Sequence, residues 1–123
     1  MALKPETIEQ INLFNWIRNH PRIKKCSFSI PNDGKRTPQR GFLMKRMGMM
    51  PGVSDIFIAC PTKRYAGLFV ELKACDRNGI YRKPTLLQVE FINEMLVMGY
   101  MASVCNGAEE AKKLIINYLN DCN

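Results

Sequence analysis

The chain has 123 residues, enough for one domain with its own hydrophobic core but too few for two. Hydrophobic residues make up 46% and charged residues 24%, and no apolar run reaches the roughly 20 residues that cross a bilayer, so a membrane protein is excluded. The 18 basic and 11 acidic residues leave a net charge of +7, which favours a polyanionic partner, nucleic acid first and an acidic membrane surface second.

Two further classes are disfavoured. Polar residues such as Lys4 and Glu9 interrupt the first segment where a signal peptide would have its apolar core, so we expect an intracellular, cytoplasmic protein. The 5 cysteines contain no C-x-x-C pair and accompany a single histidine, so neither a structural zinc site nor a disulfide framework is expected.

The first half of the chain predicts a helix, a strand and a short second helix. Apolar residues recur at helical spacing over residues 5–18. Cys26, Phe28 and Ile30 then alternate with polar residues, which is typical of a strand with these three on its buried face. After a loop with Asn-Asp-Gly turn chemistry, residues 38–47 predict a short helix, capped by a threonine and closed by a glycine.

The second half begins with two apolar runs, 53–60 and 68–74. The seven residues between them are too few for a crossover helix, so we expect an antiparallel hairpin. Thr85 and Gln88 have the spacing of a capping box that opens the next helix.

A glycine ends that helix, and residues 100–105 form the last strand. Asn106 is expected to cap a final helix that runs to about residue 120. The predicted order is αβ(α)ββαβα, an α/β domain over residues 1–123 without an internal repeat.

The densest positive cluster follows the first strand. It comprises Lys35, Arg36, Arg40, Lys45 and Arg46. Such a cluster can bind phosphates through charge-assisted hydrogen bonds, or can be a solvated surface. The methionines interleaved with it favour flexible packing or a subunit contact.

The central hairpin carries an acid on one strand and an acid with a lysine on the next. Alternate residues of a strand share a face, so Glu71 and Lys73 point the same way. If the hairpin turns near Arg64, Asp55 lies opposite Lys73 and diagonal to Glu71, about 7–8 Å from it at Cα. Two carboxylates so placed can share a divalent cation. The alternative is a surface salt pair between Glu71 and Lys73, which an isolated Glu-x-Lys triplet also fits.

Mg²⁺ suits two carboxylates because it prefers oxygen ligands and takes few of them from protein, together with substrate phosphate. Metal-bound water is a nucleophile near neutral pH, and Lys73 could orient that water or stabilise the charge that develops on phosphorus. The pattern therefore favours phosphodiester hydrolysis.

The motifs together resemble a known family. Glu6 follows a proline in the first helix, Gly52-Val-Ser-Asp55 precedes a strand, Glu71-Leu-Lys73 follows, and Gln88 lies downstream. This set is similar to the compact, virus-type VRR-NUC domain of the PD-(D/E)xK nuclease superfamily, and it spans nearly the whole chain. Each motif alone is weak. Ser54 stands where the superfamily usually has a proline that shapes the turn.

The resemblance implies a restriction-endonuclease-like fold, a mixed sheet flanked by helices, with Mg²⁺ or Mn²⁺ as cofactor. It implies metal ligation by Asp55, Glu71 and the backbone carbonyl of Leu72. The catalytic set adds Glu6, Lys73 and Gln88. Glu9 is the alternative helical acid, and the capping box explains Gln88 without catalysis.

The same resemblance implies DNA as substrate. Similar stand-alone domains form homodimers that act on four-way junctions, so a Holliday-junction-resolvase-like homodimer is the leading hypothesis. A nickase or flap nuclease of the same family is the nearer alternative. A non-catalytic basic module that binds nucleic acid through phosphates is the alternative from another class.

Overall fold

Eight elements follow one another along the part of the chain that the structure, a computed structural model, describes: residues 2–31 and 37–121. They are α1 (Pro5–Arg18), β1 (Ser27–Ser29), α2 (Pro38–Arg46), β2 (Ile56–Ile58), β3 (Leu68–Lys73), α3 (Leu86–Val97), β4 (Met101–Asn106) and α4 (Gly107–Asn120). This is the predicted order. None of these helices is long and apolar enough to cross a membrane.

The four strands form one mixed sheet in the order β1-β2-β3-β4. The first three are antiparallel, as the hairpin prediction requires, and β4 pairs parallel with β3 after the α3 crossover. The α/β fold class, a mixed sheet flanked by helices, is therefore confirmed.

The hydrophobic core lies on one face of the sheet. Branched side chains of β2 and β3 pack there against α1 and α4. Side chains from all four elements are completely buried in this core: Leu13, Ile17, Ile56, Ile58, Leu68, Val70 and Ile115. The other face carries aromatic rings and the polar ends of the strands. Phe69 packs between Phe57, at 4.5 Å between ring centroids, and Phe91 of α3, at 5.2 Å.

The predicted inward face of the first strand is wrong. Ser27 is buried, whereas Phe28 is 47% exposed. The Ser27 hydroxyl donates to the carbonyl of Ile23 at 2.8 Å, which satisfies it inside the core. The Phe28 ring packs against Phe57 on the opposite face, with centroids 5.8 Å apart.

The predicted hairpin register is also wrong, by two residues. Ile58 pairs with Leu68 and Ile56 with Val70. Continuing this register sets Asp55 level with Glu71, not with Lys73. Residues 59–67 connect the two strands. The centre of this connection therefore lies one residue before the predicted turn at Arg64.

Helix ends follow the predicted chemistry with one exception. Thr37 accepts a hydrogen bond from the Arg40 amide, and both bonds of the Thr85 capping box are present. Asn106 makes no side-chain capping bond to α4. Instead Glu9, on α1, accepts the amide hydrogen of Ala108 at 2.8 Å. A carboxylate at a helix N-terminus is favourable, so the cap of α4 comes from another helix.

Replacing Glu9 by alanine should lower the free energy of unfolding by about 1 kcal/mol, because the amide of Ala108 loses its acceptor. Urea denaturation at neutral pH measures the change. Asn106→Ala is the matched control, since that side chain makes no capping bond. A larger loss for Asn106→Ala than for Glu9→Ala would contradict this assignment.

Candidate active site

A cavity of about 840 Å³ opens beside the polar end of β3. Its lining brings together all five residues predicted to be catalytic, from α1, the loop before β2, β3 and α3: Glu6, Asp55, Glu71, Lys73 and Gln88. Residues far apart in the chain therefore meet at one site.

The main chain fixes Asp55 from two sides. Its carbonyl accepts the amide hydrogen of Ile30 at 2.7 Å, continuing the pairing with β1. Its carboxylate accepts the amide hydrogen of Leu72 at 2.9 Å. Since β2 begins one residue later, the Asp55 side chain takes the place of a backbone acceptor in the pairing with β3. Its carboxylate therefore lies against β3, next to Glu71.

Gly52 lets the loop that carries Asp55 approach the start of α3. Its φ is +91°, and a Cβ atom there would come within 2.5 Å of the Leu87 carbonyl oxygen. Only glycine adopts this backbone conformation without strain and leaves room for the contact. The glycine of the Gly-Val-Ser-Asp motif therefore holds Asp55 against the helix that carries Gln88.

Ser54 occupies the usual place of the motif's proline. The residue is fully buried, and its hydroxyl has no hydrogen-bond partner within the described residues. It is not part of the cavity wall. The side chain at this position therefore does not contribute to the surface of the site.

Glu71 is a buried acid at the cavity. Only 3% of the residue is exposed, and its Oε1 atom lacks a hydrogen-bond partner in the part of the chain described. Oε2 lies 3.5 Å from the Lys73 Nζ. Burial first, and then the adjacent Asp55, raise the pKa of Glu71 to about 8, although the positive charge of Lys73 acts in the opposite direction. The two carboxyl groups thus resist being ionised together.

Gln88 unites the two interpretations of its role. Its Oε1 atom accepts from the backbone amide of Thr85 at 2.9 Å, as the capping box requires. The same atom accepts from the Nζ of Lys73, also at 2.9 Å. The cap thereby orients the amide group towards the lysine, and Lys73 lies between an acid and an amide.

The helical acid at the cavity is Glu6. It lies on the wall of the cavity, whereas Glu9 is engaged with the first turn of α4. Along the stripe that begins at Glu6, Gln10 also lines the cavity, and Leu13 is buried in the core. One stripe of α1 therefore runs from the core into the cavity.

The positive cluster is placed in part. Lys35 and Arg36 lie outside the described residues. Lys45 lines the cavity, and Arg40 and Arg46 are exposed on the same helix, α2. Sequence reasoning missed three further cations on the cavity wall: Lys4, Arg82 and Lys83. Two of them, Arg82 and Lys83, are adjacent in the sequence just before the capping box, and this basic pair could have indicated a second positive segment.

The fit of a divalent cation can be tested on the donors. No group of three or more His, Cys, Asp or Glu side chains in residues 2–31 and 37–121 is arranged to hold a metal. Where the loop before β2 meets β3, the side chains therefore offer the carboxylates of Asp55 and Glu71, and Glu71 has an oxygen without a partner among the described residues. Mg²⁺ commonly takes one or two carboxylates and completes its shell with water and phosphate. The donor set fits such an ion and not a cage made wholly of protein.

The fold is similar to that of a solved structure described as "VRR_NUC domain protein". The two chains share 22% sequence identity with a TM-score of 0.83, and the match covers 100% of this chain and 94% of that one. No protein-family model matches this sequence, and no curated protein matches it. At this identity the likeness concerns the fold, and it confirms the predicted VRR-NUC resemblance at that level.

Glu71→Gln should stabilise the metal-free protein increasingly as the pH rises. From the ordinary glutamate pKa of 4.5 up to about 8, the native carboxyl keeps a proton that the unfolded chain has lost. The free energy of unfolding therefore falls with rising pH, and glutamine removes this contribution. Melting temperatures at pH 5 and pH 8 in chelator measure it.

The two proteins should differ little at pH 5 and most at pH 8. Glu90→Gln, an exposed carboxyl on α3, is the control. A gain from Glu71→Gln that is equal at both pH values would contradict the raised pKa.

Proposed function

We propose that this chain is a metal-dependent endodeoxyribonuclease that hydrolyses DNA phosphodiesters, and that residues 1–123 form its single nuclease domain. The observation that carries the proposal is the buried Glu71 held between Asp55 and Lys73 on a cavity with a basic wall. A buried acid beside a second carboxylate is costly to ionise unless a cation neutralises the pair. Such a cost is expected at a site built for a cation.

The carboxylates of Asp55 and Glu71 and the backbone carbonyl of Leu72 are the proposed ligands of Mg²⁺ or Mn²⁺. The amide of Leu72 already binds Asp55, so these three residues form one compact unit. When bound, such an ion supplies Lewis acidity for the phosphate and lowers the pKa of water.

Lys73 would orient the attacking water or stabilise negative charge on the phosphate. Its ammonium group is held by Glu71 and Gln88, which restricts its rotamers before substrate arrives. A preorganised cation needs little reorganisation as charge develops in the transition state. Glu6, which also lines the cavity, would accept a hydrogen bond from water there.

DNA is the proposed polyanion. The net charge is +7, and cations reach the cavity from three segments, represented by Lys4, Lys45 and Arg82. Contacts of this kind bind phosphates without reading sequence. Cleavage that does not depend on base sequence is therefore expected.

Branched DNA is the proposed substrate class, and a Holliday-junction-resolvase-like homodimer the proposed form. Cutting a four-way junction in matching positions requires two active sites related by symmetry, which a dimer supplies. A nickase or flap nuclease would use the same chemistry with one active site.

Lys73→Ala, Asp55→Asn and Glu71→Gln should each lower cleavage of a four-way junction by about 100-fold or more with Mg²⁺ or Mn²⁺. DNA binding should be retained, since none of the three residues belongs to the positive cluster that includes Arg40, Lys45 and Arg46. Gel assays on branched and linear DNA, with metal and with chelator, measure both properties. Lys113→Ala, an exposed lysine of α4, is the matched control.

Equal cleavage by wild type and Lys73→Ala would exclude the nuclease and leave the non-catalytic binding module. Metal binding has its own readout: Mg²⁺ or Mn²⁺ should raise the melting temperature of wild type but not of Glu71→Gln. A shift of equal size in both proteins would argue against ligation by Glu71.

The two helical glutamates should behave differently. Glu6→Gln should lower cleavage by about 10-fold or more without loss of stability, as expected for a residue that supports the ligands. Glu9→Gln keeps an oxygen acceptor for Ala108 and should cleave at the wild-type rate. Initial rates under the same metal conditions measure both, and the reverse order would make Glu9 the catalytic acid.

A further inference from the structure

Helix α2 stands at the edge of the cavity without burying any of its residues. All nine residues of α2 are described, and none of them is buried. Gly41 and Lys45 line the cavity together with Asp55 and Glu71. A surface helix ordinarily buries one apolar stripe against its own domain. The apolar side chains of α2 are therefore available to a partner that also reaches the active site.

The outer stripe of α2 combines an aromatic ring with two cations. Phe42 is 66% exposed, and the guanidinium carbon of Arg46 lies 5.9 Å from the centre of its ring. Phe42, Lys45 and Arg46 have the spacing that places side chains on one helical face. Met47, at the end of the helix, is 77% exposed. Since Lys45 borders the cavity, this stripe begins within about one helical turn of it.

Charge selects the occupant of this stripe. Helix α2 carries Arg40, Lys45 and Arg46 and no acidic residue. Two copies of this face would bring like charges together, which opposes pairing of the stripe with itself. Nucleic acid has the complementary charge, and its bases stack on aromatic rings and on arginine. In a continuous duplex the base faces are covered, whereas they are accessible where the duplex opens.

We propose that α2 binds DNA at a point where the bases are unstacked, with Phe42 stacking on an exposed base face and Lys45 and Arg46 contacting the adjoining phosphates. This rests on the proposed function for the identity of the ligand, and it adds the element that distinguishes branched from linear DNA. The ring of Phe42 provides selectivity for DNA with unstacked bases, and the two cations provide affinity for any DNA.

Binding in chelator tests the contact separately from cleavage. The probes are a four-way junction and a linear duplex, each with 2-aminopurine in place of an adenine, at the branch point or at the same position in the duplex. Phe42→Ala should weaken junction binding by about 10-fold or more and leave duplex binding nearly unchanged, because stacking is lost. It should also abolish the change in 2-aminopurine fluorescence on binding to the junction.

Two further variants separate stacking from charge. Phe42→Trp should keep junction binding and the fluorescence change. The double variant Lys45→Ala with Arg46→Ala should weaken binding of both DNAs and reduce the salt dependence. Ile80→Ala, which is 64% exposed outside α2, is the apolar control and should bind like wild type.

Unchanged junction binding by Phe42→Ala, or equal loss on junction and duplex, would overturn the proposal. So would light scattering in which Phe42→Ala dissociates an oligomer of the wild type, because the stripe would then be a subunit contact. The proposed function fails by a different result, equal cleavage by wild type and Lys73→Ala. A protein that does not cleave DNA but loses junction binding on Phe42→Ala would still support the stacking role of Phe42.

Discussion

The site depends on the burial of Glu71 beside Asp55. A buried acid on a central strand is costly to ionise, and a second carboxylate next to it increases that cost. Lys73 supplies one positive charge at 3.5 Å, which offsets only part of two negative ones. Near neutral pH Glu71 therefore keeps its proton unless a further positive charge reaches the pair of carboxyl groups. A divalent cation is the simplest partner that would supply this positive charge.

The first turn of α3 is where the parts of the site meet. The capping box orients Gln88, Gln88 holds Lys73, and the loop at Gly52 rests directly on Leu87. Local rules of helix initiation thus fix the geometry of side chains that come from β3 and from the loop before β2. An interaction that stabilises a helix end here also positions the chemistry. For this reason the structural and functional interpretations of Gln88 are compatible, although the sequence presents them as alternatives.

Local signals made the elements predictable from sequence, and the resemblance to the VRR-NUC domain named the five candidate residues that line the cavity. Caps at Thr37 and Thr85 and hydrophobic periodicity define the helices, and alternation on β3 places Glu71 and Lys73 on one face. The errors arose where tertiary contacts outweighed local pattern. The buried hydroxyl of Ser27 finds a carbonyl inside the core, a shift of one residue in the turn centre changed the partner of Asp55, and Glu9 capped a helix 99 residues away in the chain. None of these partners is visible in a window of neighbouring residues.

Charge is distributed oppositely inside the cavity and around it. The floor carries Asp55 and Glu71, whereas the wall carries cations such as Lys45, Arg82 and Lys83. A phosphate drawn in by the wall would be repelled by the floor unless a cation lay between them. The same arrangement weakens binding of a cation alone near the positive wall, and a phosphate in the cavity would relieve that repulsion. Cation and phosphate should therefore bind cooperatively, each supplying the charge that the other requires.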